Sequence, residues 1–485
     1  MLLFRLLLTP LLLFVFVTTA TANPNLTDDS EPIRSVDSEP IRSADSEPLP
    51  AFDSELIVLH DVNLLTMEDE QIREGYSVII QDGVIQWAGP STEADIPDDA
   101  RIIRGEYYVM PGLSEMHAHI PSANQGEEAM RNTLALYLSY GLTTIRGMLG
   151  QPAHLELRSQ AETGAIVSPR IITSGPSFSG NSVTDPEAAR ERVREQVEAG
   201  YDLLKFHPGL SLEVFEATVD EANRLGMEFS GHISLDVGLE RSLAAGKGSI
   251  DHLDRYMEFL AGDDADRDDP PIIFFGYDLV PYADEARIAE AARRTADAGV
   301  WNVPTNTLLD NIFNPANSVE EMVEWPGMEF VPSNAREGWS NYVNQLRNSD
   351  AYDPEQAKRF LELRAKLTLA LHEEGAGLML GADAPQVFNP PGFSTHRELK
   401  LLVDAGLSPF DALKAGTVNV GKYLGEEDRT GKVAEGYRAD LILLSVNPLE
   451  NIPFHAEIEG VISAGDYLDR AAIDEILNRV RAAVD

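Results

Sequence analysis

The chain has 485 residues, enough for a large buried core, and 43% hydrophobic content marks it as globular rather than disordered. Its 80 acidic residues against 38 basic ones leave a formal net charge of −42 at pH 7, which argues against a polyphosphate partner, so no nucleic acid is expected. Cysteine is absent, which excludes disulfides, thiolate-held zinc and lipid attachment through an N-terminal cysteine.

The acidic side chains are scattered along the chain and read as a solvated surface; adaptation to high salt, which would screen them, is the sharper alternative. Residues 1–22 have the layout of an export signal. Arg5 is the positive end, Leu6 to Val17 an apolar stretch too short for a comfortable membrane span, and Ala20-Thr21-Ala22 a small-residue cleavage site. A secreted or periplasmic protein is expected, with no stable membrane span after cleavage. Residues 23–54 contain an eight-residue repeat, Asp29-Ser30-Glu31-Pro32-Ile33-Arg34-Ser35, then Asp37 to Ser43, then Asp45-Ser46-Glu47-Pro48. Such Pro-, Ser- and acid-rich sequence cannot bury enough apolar surface to order itself, and it reads as a disordered linker.

From residue 55 the pattern turns to short alternating runs: Leu56 to His60, Tyr76 to Gln81, Val84 to Ala88 and Arg101 to Arg104. Asp82-Gly83 between two of them is a hairpin signal. Gly431 to Val433 and Ala439 to Leu444 repeat the style near the other end. Residues 55–112 and 425–485 are therefore expected to build one small β-sandwich from both ends of the chain, with a closing helix.

Between them, residues 113–424 alternate strand-like and helix-like stretches eight times. The strand candidates are Ser114 to His119, Thr143 to Arg146, Arg170 to Ser174, Leu203 to His207, Glu228 to His232, Ser249 to His252, Trp301 to Thr305 and Leu378 to Asp383. Helical patterns include Glu127 to Tyr140, Pro186 to Ala199, Leu212 to Leu225 and Ala283 to Ala298. Eight such repeats predict an α/β fold, a (β/α)₈ TIM barrel whose active face lies at the C-terminal strand ends.

Chemistry-bearing residues gather at those ends. His117 and His119 lie two apart in a strand and so share a face. Lys205, His232, His252 and Asp383 close later strands. Any one histidine at such a place is an ordinary polar residue; four with a lysine and an aspartate form a metal-ligand set. Neutral imidazoles and carboxylates suit divalent ions, zinc foremost. The expected arrangement has His117, His119 and Asp383 on one ion and His232 and His252 on the other. Lys205, made neutral by burial and carboxylated by carbon dioxide, would bridge them. The alternative for Lys205 is a plain charge that holds substrate or a carboxylate. Two such ions supply a water activated at neutral pH, and Asp383 is the expected general base and then acid.

Met110-Pro111-Gly112-Leu113-Ser114-Glu115-Met116-His117-Ala118-His119 resembles the first-strand signature of the metal-dependent amidohydrolase superfamily. Thr143-Thr144-Ile145-Arg146, Leu204-Lys205-Phe206, Ser230-Gly231-His232, Ile250-Asp251-His252 and Gly381-Ala382-Asp383 are similar to its later strand motifs. Thr395 to Leu399, Ala412 to Asn419 and Gly436 to Leu441 resemble the branch of imidazolonepropionase-like proteins and Xaa-Pro or Xaa-Arg/Lys dipeptidases. The lysine implies the binuclear, carboxylated-lysine members; imidazolonepropionases are mononuclear and lack it. Arg146-Gly147 stands where the family commonly has Arg-Asp.

The expected function is hydrolysis of a small-molecule amide, such as a dipeptide or N-acyl amino acid. The alternatives are an ester, lactone or phosphoester hydrolase on the same centre, or a non-catalytic binding or assembly module; a homo-oligomer is compatible with either. His207, Arg255 and Tyr256 are candidate substrate contacts, each weighed against a supporting or packing role. The long segments Gly262 to Tyr282 and Asp310 to Tyr352 carry Phe274, Phe275, Tyr277, Phe313, Trp325, Phe330, Trp339 and Tyr342, which suggest an aromatic-lined pocket or simple anchoring.

Overall fold

Asp82 and Gly83 both take left-handed φ, 52° and 73°, the conformation a two-residue hairpin turn requires, and Gln81 pairs with Val84 across it. The computed structural model describes residues 56–262, 274–452 and 454–484. The expected export signal and repeat linker, and residues 263–273, lie outside the described residues.

Strands β1 (Ile57–Leu65), β2 (Ile72–Gln81), β3 (Val84–Pro90), β4 (Arg101–Arg104) and β5 (Tyr108–Pro111) come first. The next seven are β6 (Leu113–Ala118), β7 (Leu142–Gly147), β8 (Arg170–Thr173), β9 (Leu203–Phe206), β10 (Glu228–Gly231), β11 (Ser249–Asp251) and β12 (Trp301–Val303). They run parallel in the groups β6-β7-β8 and β9-β10-β11-β12. Isolated bridges join the groups: Ser174 to Leu203, Asn302 to Leu378 and Ala118 to Ala384. The eighth stave is thus residues 378–384, and it completes the ring. The sequence predicts a strand there, but the chain is held by scattered bonds such as Met116 N to Leu380 O and His119 N to Ala384 O rather than by a regular ladder.

Helices cover the outside, so the parallel strands read as unbroken apolar or buried runs; all six residues of β7 are buried. Helix Pro186–Ala199 begins where the Asp185 carboxylate accepts from the backbone N–H of Glu187 and Ala188, and it stops at left-handed Gly200. Helix Leu212–Leu225 repeats the device with Ser211 and Gly226 and buries Val214, Phe215, Thr218 and Ala222. Ala283 to Ala298 narrows to a helix at Ile288–Asp297.

Three last strands, β13 (Leu441–Leu444), β14 (Ile458–Ser463) and β15 (Asp466–Asp469), return to the first group. β13 pairs antiparallel with β5, giving one hydrogen-bonded sheet in the order β15-β14-β13-β5-β1-β2-β3, with β4 on β1. Val84 at the far edge bridges to Arg438 just before β13, so the sheet curls over its own core of Leu59, Val78, Ile80, Val109, Leu441 and Ile462. The small sandwich of the sequence reading is this single folded sheet. Gly112 separates it from the barrel, and a Cβ there would meet Thr143 Oγ1 at 2.2 Å, so only glycine lets β6 approach β7.

Arg146, whose role the sequence left open, is a fully buried strut inside the barrel. Its Nε donates to Met116 O at 2.8 Å, Nη1 to the Tyr423 hydroxyl at 2.6 Å, and Nη2 to Ser249 Oγ at 3.0 Å and Asp251 Oδ1 at 3.3 Å. His396 is also structural: buried, its Nε2 donates to Tyr140 O at 2.8 Å, tying the helix after the eighth stave to the first barrel helix. Burial pushes its pKa down to about 3.

Two outcomes follow. Arg146→Met strands the Asp251 carboxylate without its guanidinium and is expected to cost roughly 3–5 kcal/mol in urea unfolding. For His396, whose folded pKa is depressed, the unfolded chain binds the extra proton, so stability rises with pH between about 3 and 6.5. His396→Gln keeps the donor, and its unfolding free energy measured across that window should lose up to about 1.4 kcal/mol per pH unit of that slope.

Candidate metal centre

The barrel strands end just short of the residues the sequence singled out. His119, His232 and His252 each follow directly on β6, β10 and β11, and His207 follows β9. There the chain leaves the ladder and turns its side chains to the axis. All six predicted ligands come together. His117 and His252 have ring centroids 4.5 Å apart, His232 and His252 stack at 4.4 Å, and His119 lies 5.4 Å from His117. Asp383 Oδ1 sits 2.7 Å from His119 Nε2 and 3.6 Å from His117 Nε2. Lys205 Nζ is 3.2 Å from His117 Nε2. Ligand atoms of His117, His252 and Asp383 all lie within 4.8 Å of one another, the spacing a single cation needs.

His232 and His252 are hydrogen-bonded through Nδ1, and His117 Nδ1 lies in close contact with a carboxylate. His117 Nδ1 is 2.8 Å from Asp251 Oδ2, His232 Nδ1 is 2.9 Å from Asp254 Oδ2, and His252 Nδ1 is 2.8 Å from Thr305 Oγ1. A carboxylate beside Nδ1 of His117 and of His232 favours the proton there and Nε2 as the lone-pair nitrogen, while the Thr305 hydroxyl can accept from or donate to His252 Nδ1. His252 Nε2 is buried and has no hydrogen-bond partner, an orphaned nitrogen that a cation would satisfy.

Burial dominates the proton balance. It holds His117 well below its ordinary value, with Lys205 adding to the effect, and lowers His252 to about 3, so both rings are neutral at pH 7. It brings fully buried Lys205 down to about 8, against the pull of Asp251 and Asp383. Burial alone would raise the Asp383 carboxyl, but His117 and His119 beside it hold it well below the carboxylate range. The site therefore offers neutral imidazoles, an ionised carboxylate and a lysine with an accessible neutral form.

The supporting carboxylates escaped the sequence reading. Asp251 lies beside Arg146 and His117 and 3.9 Å from Lys205 Nζ; Asp254 also accepts from Ile233 N at 3.1 Å. Their signal was an acidic residue one before and two after a candidate ligand, His252. Buried Glu115 accepts from His117 N, Ala382 N and Thr395 Oγ1, which locks the first stave to the eighth. Gln386 Nε2 donates to Asp383 Oδ1 at 2.8 Å.

The candidate substrate contacts divide. His207 stacks on His232 at 5.2 Å, beside the centre. Arg255 is turned to Glu258 and donates through Nε to Ile233 O at 2.9 Å. Tyr256 takes the packing alternative: it is buried, with its hydroxyl bonded to Thr295 Oγ1 and Asn302 Oδ1. Several of the loop aromatics take the anchoring alternative. Tyr277 stacks on Phe313 at 4.8 Å and Trp339 packs on Phe388, as anchors in the core. Trp325 lies under the Arg397 guanidinium at 3.9 Å. Phe275 has its ring centroid 5.6 Å from that of His252; the side chain of Phe274 lies outside the described set.

Comparison with known proteins agrees with this geometry. The sequence profile of the Amidohydrolase family matches residues 108–468. An ochratoxinase of Aspergillus niger is 24% identical, aligned over 79% of this chain and 80% of its own. A putative prolidase from Bifidobacterium longum superposes with a TM-score of 0.63 at 25% identity, covering 88% of this chain and 99% of its own. A bottromycin amidohydrolase gives 0.68 at 24% identity over 89% and 91%. With its barrel, curled sheet and cluster of neutral imidazoles, this chain belongs to the amidohydrolase family and is a hydrolase acting on carbon–nitrogen bonds.

Proposed function

We propose that the protein is an exported, binuclear metal-dependent amidohydrolase that cleaves a dipeptide, an N-acyl amino acid or a related amide. The observation that carries the reading is the set of Nδ1-anchored imidazoles around Asp383 and Lys205, with His252 Nε2 buried and unpartnered. The reading takes two divalent ions, zinc foremost, with His117, His119 and Asp383 on one and His232 and His252 on the other; the tightest group of ligand atoms, His117, His252 and Asp383, draws on both sets. Lys205, neutral in part near pH 8, would add through Nζ to carbon dioxide, releasing one proton and gaining an anionic carbamate that would serve as a shared metal ligand. When bound, such ions supply an activated water and polarise a carbonyl.

The chain's own residues do the rest. Asp383, whose Oδ1 accepts from the Gln386 amide, would take the proton of the attacking water and return it to the leaving nitrogen. Phe275 and His207 flank the imidazoles and would face the acyl group. A relative described as a prolidase, together with the ochratoxinase and the bottromycin amidohydrolase, supports an amide as the bond. Among the described residues no helix is long and apolar enough to cross a membrane, and export rests on residues 1–22.

Purified protein is expected to hold about two equivalents of transition metal by elemental analysis, and Lys205→Ala to lose most of it along with turnover. Full metal content and activity in that variant would remove the bridging role. In a screen over dipeptide and N-acyl amino acid libraries, Asp383→Asn should lower kcat by about 10²–10⁴-fold. Hydrolysis confined to esters, lactones or phosphoesters would reassign the reaction. Sequencing the mature N-terminus from an exporting host should read from Asn23.

A further inference from the structure

Arg364 stands out as a buried charge that nothing above uses. It lies on helix Pro354–Glu373, is 2% exposed, and has no carboxylate within 4 Å among the described residues. Burial lowers its pKa to about 10, and its Nε has no hydrogen-bond partner. Glu398 and Asp254 offset part of the burial from a distance, but a guanidinium in a barrel wall with no ion pair is still costly, so its position needs a reason.

Its two contacts supply one. Nη1 donates to His252 O at 2.8 Å and Nη2 to Pro304 O at 2.7 Å. One planar fork thus ties the chain leaving β11 to the chain leaving β12. Both chains are in left-handed backbone at that point: φ is 63° at His252, 56° at Leu253 and 49° at Thr305. Such conformations cost about 1–2 kcal/mol for a residue bearing a Cβ and persist only where the surroundings hold them. The two tied segments also carry the two halves of one hydrogen bond, His252 Nδ1 and Thr305 Oγ1, 2.8 Å apart. That bond pins the His252 ring to the chain leaving β12.

We infer that Arg364 is a positioning residue for His252: by clamping the carbonyls of His252 and Pro304 it fixes the left-handed turn and the Thr305 contact that seat the His252 ring against His117 and Asp383 as a metal ligand. The inference rests on the metal reading above. A lysine at 364 presents one ammonium in place of a two-pronged fork and cannot hold both carbonyls in the same way; a methionine holds neither.

The test is equilibrium dialysis of metal-stripped protein against zinc, with thermal unfolding of the same metal-free samples. Wild type should take up about two equivalents; uptake of none would overturn the metal reading itself and leave Arg364 without a ligand to position. Arg364→Lys should keep the metal-free unfolding midpoint near that of wild type yet bind the second equivalent roughly 10–100-fold more weakly. Thr305→Val, which removes only the hydroxyl, should weaken the same equivalent and leave the first intact. His252→Ala, lacking that ligand, sets the limit. Should wild type bind two ions while Arg364→Lys and Thr305→Val bind both with unchanged affinity, the positioning role is overturned. Arg364→Met losing its fold altogether, with Arg364→Lys and Thr305→Val both at wild-type affinity, counts against it equally.

Discussion

Everything at the mouth of this barrel depends on imidazole rings that are neutral and cannot turn. Neutrality comes from burial, which keeps His117 and His252 unprotonated at pH 7. Fixity comes from a polar partner at each Nδ1, two carboxylates and a hydroxyl. Without those partners a ring in a dry cluster could flip and present either nitrogen, and a histidine donor set would have no defined geometry. Asp251, Asp254 and Thr305 therefore matter to the centre as much as the rings they hold.

Those partners must themselves be held, and the solution differs from one to the next. Asp251 is a buried carboxylate shared among Arg146, Ser249 and His117, so the guanidinium that braces the barrel interior also steadies the carboxylate that orients a ring. Asp254 is fixed by the backbone N–H of Ile233, on the loop that follows its own imidazole. Thr305 is fixed through the backbone. Stability and function are thus coupled through the same buried polar atoms, where a partly satisfied network is worse than none.

Much of this was legible in the chain. His117 and His119 two apart, and single ligands at the ends of later apolar runs, identified the centre because side-chain alternation in strands is rigid and parallel barrels place their strand ends on one face. Helix limits such as Pro186 to Ala199 and Leu212 to Leu225 could be read from caps and glycines, which are local signals. What could not be read was set by tertiary packing. Residues 378–384 carry the apolar run of a strand, yet their pairing is interrupted because the segment must turn at Asp383 and Val387. Tyr256 follows a ligand closely enough to suggest a substrate contact, but the left-handed turn at Arg255 sends its ring into the core. Tyr277, Phe313 and Trp339 sit in mouth-side loops, and composition alone could not tell a pocket lining from an anchor.

The distribution of left-handed residues ties these points together. Among the described residues, His252, Leu253, Arg255, Phe275, Thr305, Asp383, Val387 and Phe388 all have positive φ; Asp383 lies near the end of the eighth stave and the others follow β11, β12 or that stave. Glycine would relieve the local cost at any of them, but a glycine at 252 or 383 carries no donor atom, and one at 305 no hydroxyl. The residue that must act and the conformation that aims it are in conflict at each of these three positions, and the surrounding contacts resolve it: Glu115 bonded to Ala382 N beside Asp383, and the Arg364 fork on His252 O and Pro304 O. This half of the rim is shaped by backbone that is unfavourable in isolation and is imposed by buried polar groups on neighbouring elements, which is the condition under which strained residues persist at a functional site.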